Sequence, residues 1–340
     1  MYSTPGLPAF ISANLLYQGA ACLMQRYIIR RLLLVIPTLL GVSLVVFTIV
    51  RLVPGDVISV ISGDFGSSDK TSREALKKEF GLDDNIPKQY VNWLGDVVRF
   101  DLGKSILSNR SVGEELKTRL PITFELGIMA IFFSMLIAIP IGLVSAMRQD
   151  TAWDYIGRSF AISLLAAPGF AIALMLITFA GRYFIWGVPP KGYIHITDDP
   201  IGNIRMLIVP ALLLGAGLAG SVMRFTRSTM LEVLRQDYIR TAWSKGLRER
   251  SIILRHAMRN AFIPVITVIG LQLPVVVGGT VIIESVYSIP GMGRYYIDSV
   301  NNRDYPVIQA INLVVAMVVV FANLGVDLMY SVLDPRIRYS

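Results

Sequence analysis

Beyond the uncharged residues 1–24, six stretches of this chain run for 18 residues or more without a charged side chain, and they decide most of what it can fold into. They cover 32–50 (19 residues), 126–147 (22), 159–181 (23), 206–223 (18), 261–283 (23) and 305–326 (22). A helix needs roughly 20 residues to cross a bilayer. Inside lipid every backbone N–H and C=O must be satisfied within its own segment, so runs of this length have to be helices; membrane strands would be shorter and would alternate. Composition agrees, with 54% hydrophobic and 16% charged residues, where a soluble domain averages ~25% charged. The expected fold is an all-α membrane protein of six transmembrane helices.

Short loops rich in Lys and Arg stay on the cytoplasmic side. With the N-terminus inside, the short inner segments hold sixteen basic residues, among them Arg26, Arg30, Arg31 and nine in 224–260, against five outside. The remaining eleven lie in 51–125, long enough to translocate regardless of charge. Both termini are therefore expected in the cytoplasm. The formal charge of +8 is accounted for by inner loops facing anionic headgroups, and no nucleic acid is expected. Lipid is the expected surrounding.

The chain divides into residues 1–24, an N-terminal extension without charge; a first span in 25–53; an external subdomain in 54–120; and a five-helix core in 121–340 carrying a cytoplasmic loop, 224–260. Met24, followed at once by a basic flank, reads as an alternative start. A lipoprotein site at Cys22 lacks the basic region that a signal peptide requires, and with one cysteine no internal disulfide can form. Within 54–120, stretches 71–80 and 86–99 are helix-like and water-exposed. Prolines at 37, 140, 168, 210, 264 and 274 predict kinked helices.

Motifs for chemistry are few. Gly103-Lys104-Ser105 lacks the glycine that a phosphate loop needs five residues earlier, where Val98 stands. Gly215-Ala-Gly217-Leu-Ala-Gly220 spells a dinucleotide fingerprint but lies within an apolar run, where small residues let helices approach closely. His195 and His256 fall on opposite sides of the membrane, so neither a metal site nor a cofactor is expected, and no enzymatic set is buried among the spans.

The informative segment is 224–260, too long for a plain connection. Asp237 is placed to cap a helix and Gly246 to end it, so 238–245 reads as two turns, roughly 12 Å long. Tyr238, Thr241, Ala242 and Lys245 would share a face. So short a helix cannot stand alone; it rests on headgroups or sits in a partner's groove.

Arg240-Thr-Ala242, three residues, then Gly246 resembles the EAA loop of binding-protein-dependent ABC transporter permeases. Arg240 stands where that consensus has Glu, and Met258-Arg259 where many members have Leu-Pro; both departures resemble the dipeptide, oligopeptide and nickel branch. The resemblance extends from about Met24 over Arg30-Arg31, Pro54-Gly55-Asp56, Gly81-Leu82-Asp83, Asp101-Leu102-Gly103, Glu284-Ser-Val-Tyr-Ser-Ile-Pro-Gly-Met-Gly293 and Leu333-Asp-Pro-Arg-Ile-Arg338. It implies a type I importer transmembrane domain in a bacterial inner membrane. A second homologous permease, two ABC ATPase subunits that bind ATP and Mg, and an external substrate-binding protein delivering a peptide would be its partners. Asp237, Tyr238, Arg240, Thr241, Ala242, Lys245 and Gly246 would then couple to the ATPase. Charges at the span edges, Glu125, Glu284 and Arg294 outside and Asp327 and Asp334 inside, are candidate pathway or gate residues, although interfacial charges also anchor helix ends. A nickel importer shares the resemblance, whereas a passive channel or a membrane scaffold would need no ATPase contact.

Overall fold

The computed structural model describes residues 28–49, 85–183 and 192–333, and every described element is helical apart from a single bridge between Lys104 and Ser111. The expectations for 1–24, for 54–84 and for Asp334 lie outside these residues. In chain order the helices are α1 (Ile28–Ile49), α2 (Ile86–Val98), α3 (Val112–Met147), α4 (Ala152–Ala166), α5 (Gly169–Tyr183), α6 (Pro200–Leu234), α7 (Asp237–Ser244), α8 (Glu249–Gly270), α9 (Gln272–Val286), α10 (Met292–Asn301) and α11 (Tyr305–Leu333). Five of them, α1, α3, α6, α8 and α11, are long and apolar enough to cross a membrane, and six spans result if α4 and α5 together count as one.

Two runs are broken at prolines where kinks are expected. α4 and α5 meet at 86°. Pro168 lies between them, and the residue before a proline is driven out of helical geometry; Ala167 is extended, at φ −81° and ψ 119°. The run 261–283 is shared between α8, which begins earlier at Glu249, and the shorter α9. Pro274 there lacks the N–H that would bond the Gly270 carbonyl, so the ladder is interrupted. α3 and α6, by contrast, continue through Pro121, Pro140 and Pro210.

α3 and α6 form the most extensive pairing, running parallel at the centre of the bundle. Small residues make their approach close. A Cβ on Gly215 would stand 2.4 Å from the Ala130 carbonyl oxygen, and one on Gly220 2.7 Å from that of Ala161 in α4; open space surrounds Gly217. From Gly127 onward the buried positions of α3 are small, with Ala130, Ser134 and Ala138 at 0% exposure, while Ile128, Phe132 and Leu136 point outward at about 60%. Small inside and large outside inverts the soluble rule and is what lipid permits, because hydrocarbon is as apolar as the side chains facing it.

The two ends of the bundle carry separate clusters. At one end Ala146, Met230, Ile239, Ala242, Ile252, Ile253, Ala257 and Ala261 pack together, and α7 lies there. At the other, Val112, Leu116, Val277, Met292, Val307 and Ile311 join α3, α9, α10 and α11.

Candidate functional site

α6 extends eleven residues past the end of its apolar run, and α8 starts at Glu249, so the loop expected over 224–260 narrows to 235–248 with α7 inside it. α7 has Gln236 as its N-cap, with no side-chain bond. Asp237 is the first helical residue instead of the cap, and it favours the positive end of the helix dipole. The helix ends as expected from Gly246: its N–H bonds Trp243 O at 2.9 Å and that of Leu247 bonds Ala242 O at 3.4 Å, with Gly246 at φ +71°. This is a Schellman motif, whose left-handed residue is glycine because other residues are strained there.

Two side chains seat α7 on the bundle. Ile239 is 1% exposed and Ala242 7%, both against the cluster formed by Ala146, Met230 and the start of α8. The Tyr238 hydroxyl accepts a 2.8 Å hydrogen bond from Asn260 Nδ2. That start is a π-helical stretch, Ile252–Ala257, which buries Ile252, Ile253 and Ala257. Ala242 therefore does not share the outer face with Tyr238, Thr241 and Lys245: at this register it turns inward with Ile239. The outer face carries Tyr238, Thr241, Trp243 and Lys245, with Arg240 and Asp237 paired at 3.6 Å in solvent.

Just inside this end lies a charge cluster that the sequence reading missed. Asp154, fully buried on α4, receives Arg227 Nε at 2.8 Å and NH2 at 2.7 Å, the Ser145 hydroxyl, and the Asp150 N–H at 3.1 Å. One carboxylate thus ties the end of α3, the start of α4 and the last turns of α6. Arg227 counted only toward inner charge; the available signal was Asp154 itself, an acid placed where basic residues otherwise collect.

The residues singled out at span edges do not converge. Glu284 has no exposed surface. Its carboxylate accepts from Thr123 Oγ1 at 2.7 Å and from the Arg294 N–H at 3.0 Å, and Thr123 Oγ1 in turn accepts from the Met292 N–H at 2.9 Å. The chain folds back over it at Gly291, where a Cβ would lie 2.3 Å from Glu284 Oε2. Glu284 is accordingly a clasp between α3, α9 and α10, not a residue lining an open path. The Arg294 guanidinium donates to Ser288 O at 2.9 Å. Glu125 accepts from the Tyr193 hydroxyl at 2.7 Å, and burial followed by this bond pushes that phenol above its ordinary value, keeping it a donor. Asp327 pairs with Arg31 at 2.7 Å, joining α11 to α1. Ser105, from the false phosphate loop, donates to Asp304 at 2.6 Å and is structural.

Family comparisons converge on one assignment. The binding-protein-dependent transport system inner membrane component family matches residues 138–339, and the N-terminal membrane component family of the same systems matches 24–127. The dipeptide transport system permease protein DppB of Escherichia coli is 37% identical over 340 aligned positions, covering 93% of this chain and 99% of that protein. The oligopeptide transport system permease protein AppB of Bacillus subtilis is 39% identical, and the glutathione transport system permease protein GsiC of Pectobacterium atrosepticum 38%; each alignment covers 93% of this chain and 100% of the relative. A chain of packed apolar helices with these relatives belongs to the binding-protein-dependent transport family, as a multi-pass permease subunit of the bacterial ABC importers.

Proposed function

We propose that this chain forms half of the translocation pathway of an importer for dipeptides or oligopeptides, and that the outer face of α7 receives the force of a separate ATPase subunit. The relatives named for dipeptides, oligopeptides and glutathione favour peptide cargo over nickel. One observation carries the coupling role: an eight-residue helix is held by two inward side chains, Ile239 and Ala242, while Arg240, Thr241 and Lys245 are exposed and Tyr238 and Trp243 about half exposed. A helix that short is stable only through what it packs on. The bundle supports one side, and a second protein would cover the other.

In this reading both termini and α7 lie in the cytoplasm, in keeping with the basic residues of 224–260. A second permease completes the pathway, and an external binding protein delivers the peptide. The partner ATPases bind ATP and Mg, and their closure moves α7. The Arg227–Asp154 pair would carry that displacement from α6 to α4, and so to the bend at Pro168. The bundle then alternates between inward- and outward-open states.

The test is Thr241→Trp in the assembled transporter in lipid nanodiscs. Peptide-stimulated ATP hydrolysis should fall about tenfold or more, equivalent to ~1.4 kcal/mol of lost coupling, with an unchanged unfolding temperature. Undiminished stimulation would refute the assignment of this face.

A further inference from the structure

The residues between the first two spans are expected to stand in water, yet α2 packs along the membrane-spanning α1. The Tyr90 hydroxyl is 2.8 Å from Ser43 Oγ and donates to Leu40 O at 3.4 Å. Phe47 lies beneath the helix, its ring 5.3 Å from Tyr90 and 5.6 Å from Trp93, and is 1% exposed. Depth follows from helical rise. Ser43 precedes Ile49, the last described residue of α1, by six positions, which places it about 9 Å down the axis from that end; Leu40 is about 13 Å down.

α1 itself has to face hydrocarbon, because Leu40, Leu44 and Ile49 are about half exposed. A helix docked over Ser43 and Phe47 is continuous with that lipid-facing surface. α2 is also amphipathic in the corresponding sense. Val91 and Val98, seven residues apart and therefore on one side, are 65% and 71% exposed, while Asn92 and Asp96, four apart, lie on another. Phe100 follows the helix at 93% exposure and φ +63°, a left-handed conformation that a bulky residue rarely adopts. In water this combines strain with an uncovered aromatic ring; at a membrane boundary the ring is buried. Trp93 and Tyr90 are residues that favour that depth.

We infer that α2 is an interfacial helix lying in the headgroup–acyl boundary at the C-terminal end of α1, with Val91, Val98 and Phe100 in lipid and Asn92 and Asp96 in water. The inference rests on the chain spanning a membrane and is independent of cargo and of α7.

Site-directed fluorescence tests it. With Cys22→Ser as background, Val91→Cys, Val98→Cys, Phe100→Cys and, as control, Asn92→Cys are labelled with bimane. The complete transporter, with its ATPase subunits and binding protein, is placed in nanodiscs, and the label is quenched by nitroxide-bearing lipid or by aqueous iodide. All four side chains are exposed, so substitution does not open a core, and retained ATP hydrolysis certifies assembly. Labels at 98 and 100 should be quenched by lipid about threefold more than the label at 92 and be shielded from iodide. Iodide access equal to that at 92 would overturn the proposal. So would shielding from both quenchers, which would mean that a protein partner covers this face.

Discussion

Glu284 shows how far a residue's chemistry depends on what encloses it. Its position at the end of an uncharged run reads as an interfacial charge, which more often anchors a helix end than lines a path. The structure places it under Gly291, with Thr123 and the Arg294 N–H as donors. Replacing it with Ala leaves the Thr123 hydroxyl and that N–H buried without an acceptor, at ~1–3 kcal/mol each. Glu284→Ala should thus destabilise the permease by roughly 2–6 kcal/mol and lower its unfolding temperature in nanodiscs, whereas Arg294→Ala should change it little. Nothing in the sequence marks the enclosure, because the glycine and threonine that create it are seven and 161 residues away. Asp154 is the same case: its partner Arg227 is 73 residues distant.

At the scale of elements, what was legible follows from local rules. Six uncharged runs revealed the helical membrane class because their length leaves the backbone no other solution. Pro168 marked the bend between α4 and α5, and Gly246 marked the end of α7, since each acts through its own backbone. The facing of α7 was not legible. Tyr238, Thr241, Ala242 and Lys245 lie close on a helical wheel, but the bundle meets the edge of that set, with Ile239 beside Ala242. The two adjacent positions consequently give opposite results when enlarged. Ala242→Trp overpacks the cluster with Met230 and Ile252 and should cost ~1–3 kcal/mol; Thr241→Trp, facing outward, should stay within ~0.5 kcal/mol. Thermal unfolding of the two variants separates a seating residue from a docking one.

At the scale of the whole molecule, the described helices suit the proposed role of half a translocation pathway. Small residues line the close contact of α3 with α6, large ones cover the outer side of α3, and the candidate pathway residues Glu125, Glu284, Arg294 and Asp327 are each held by the chain itself. In the proposed importer a second permease, an ATPase and a delivery protein would complete this arrangement. One end of the bundle is braced by Glu284 and by the Ser105–Asp304 bond, and the opposite end by Asp154 and Arg227, with a proline-broken span between them. Such a body can rock as a unit when one end is pulled.

The central claim, that α7 meets an ATPase through its outer face, is tested most directly by cross-linking in the assembled transporter. In a Cys22→Ser background, a short photoactivatable cross-linker at Thr241→Cys should capture the ATPase subunit both with and without ATP, while the same reagent at Ile239→Cys, beneath the helix, should capture only the permease itself. Absence of any ATPase adduct from position 241 in either nucleotide state would contradict the account.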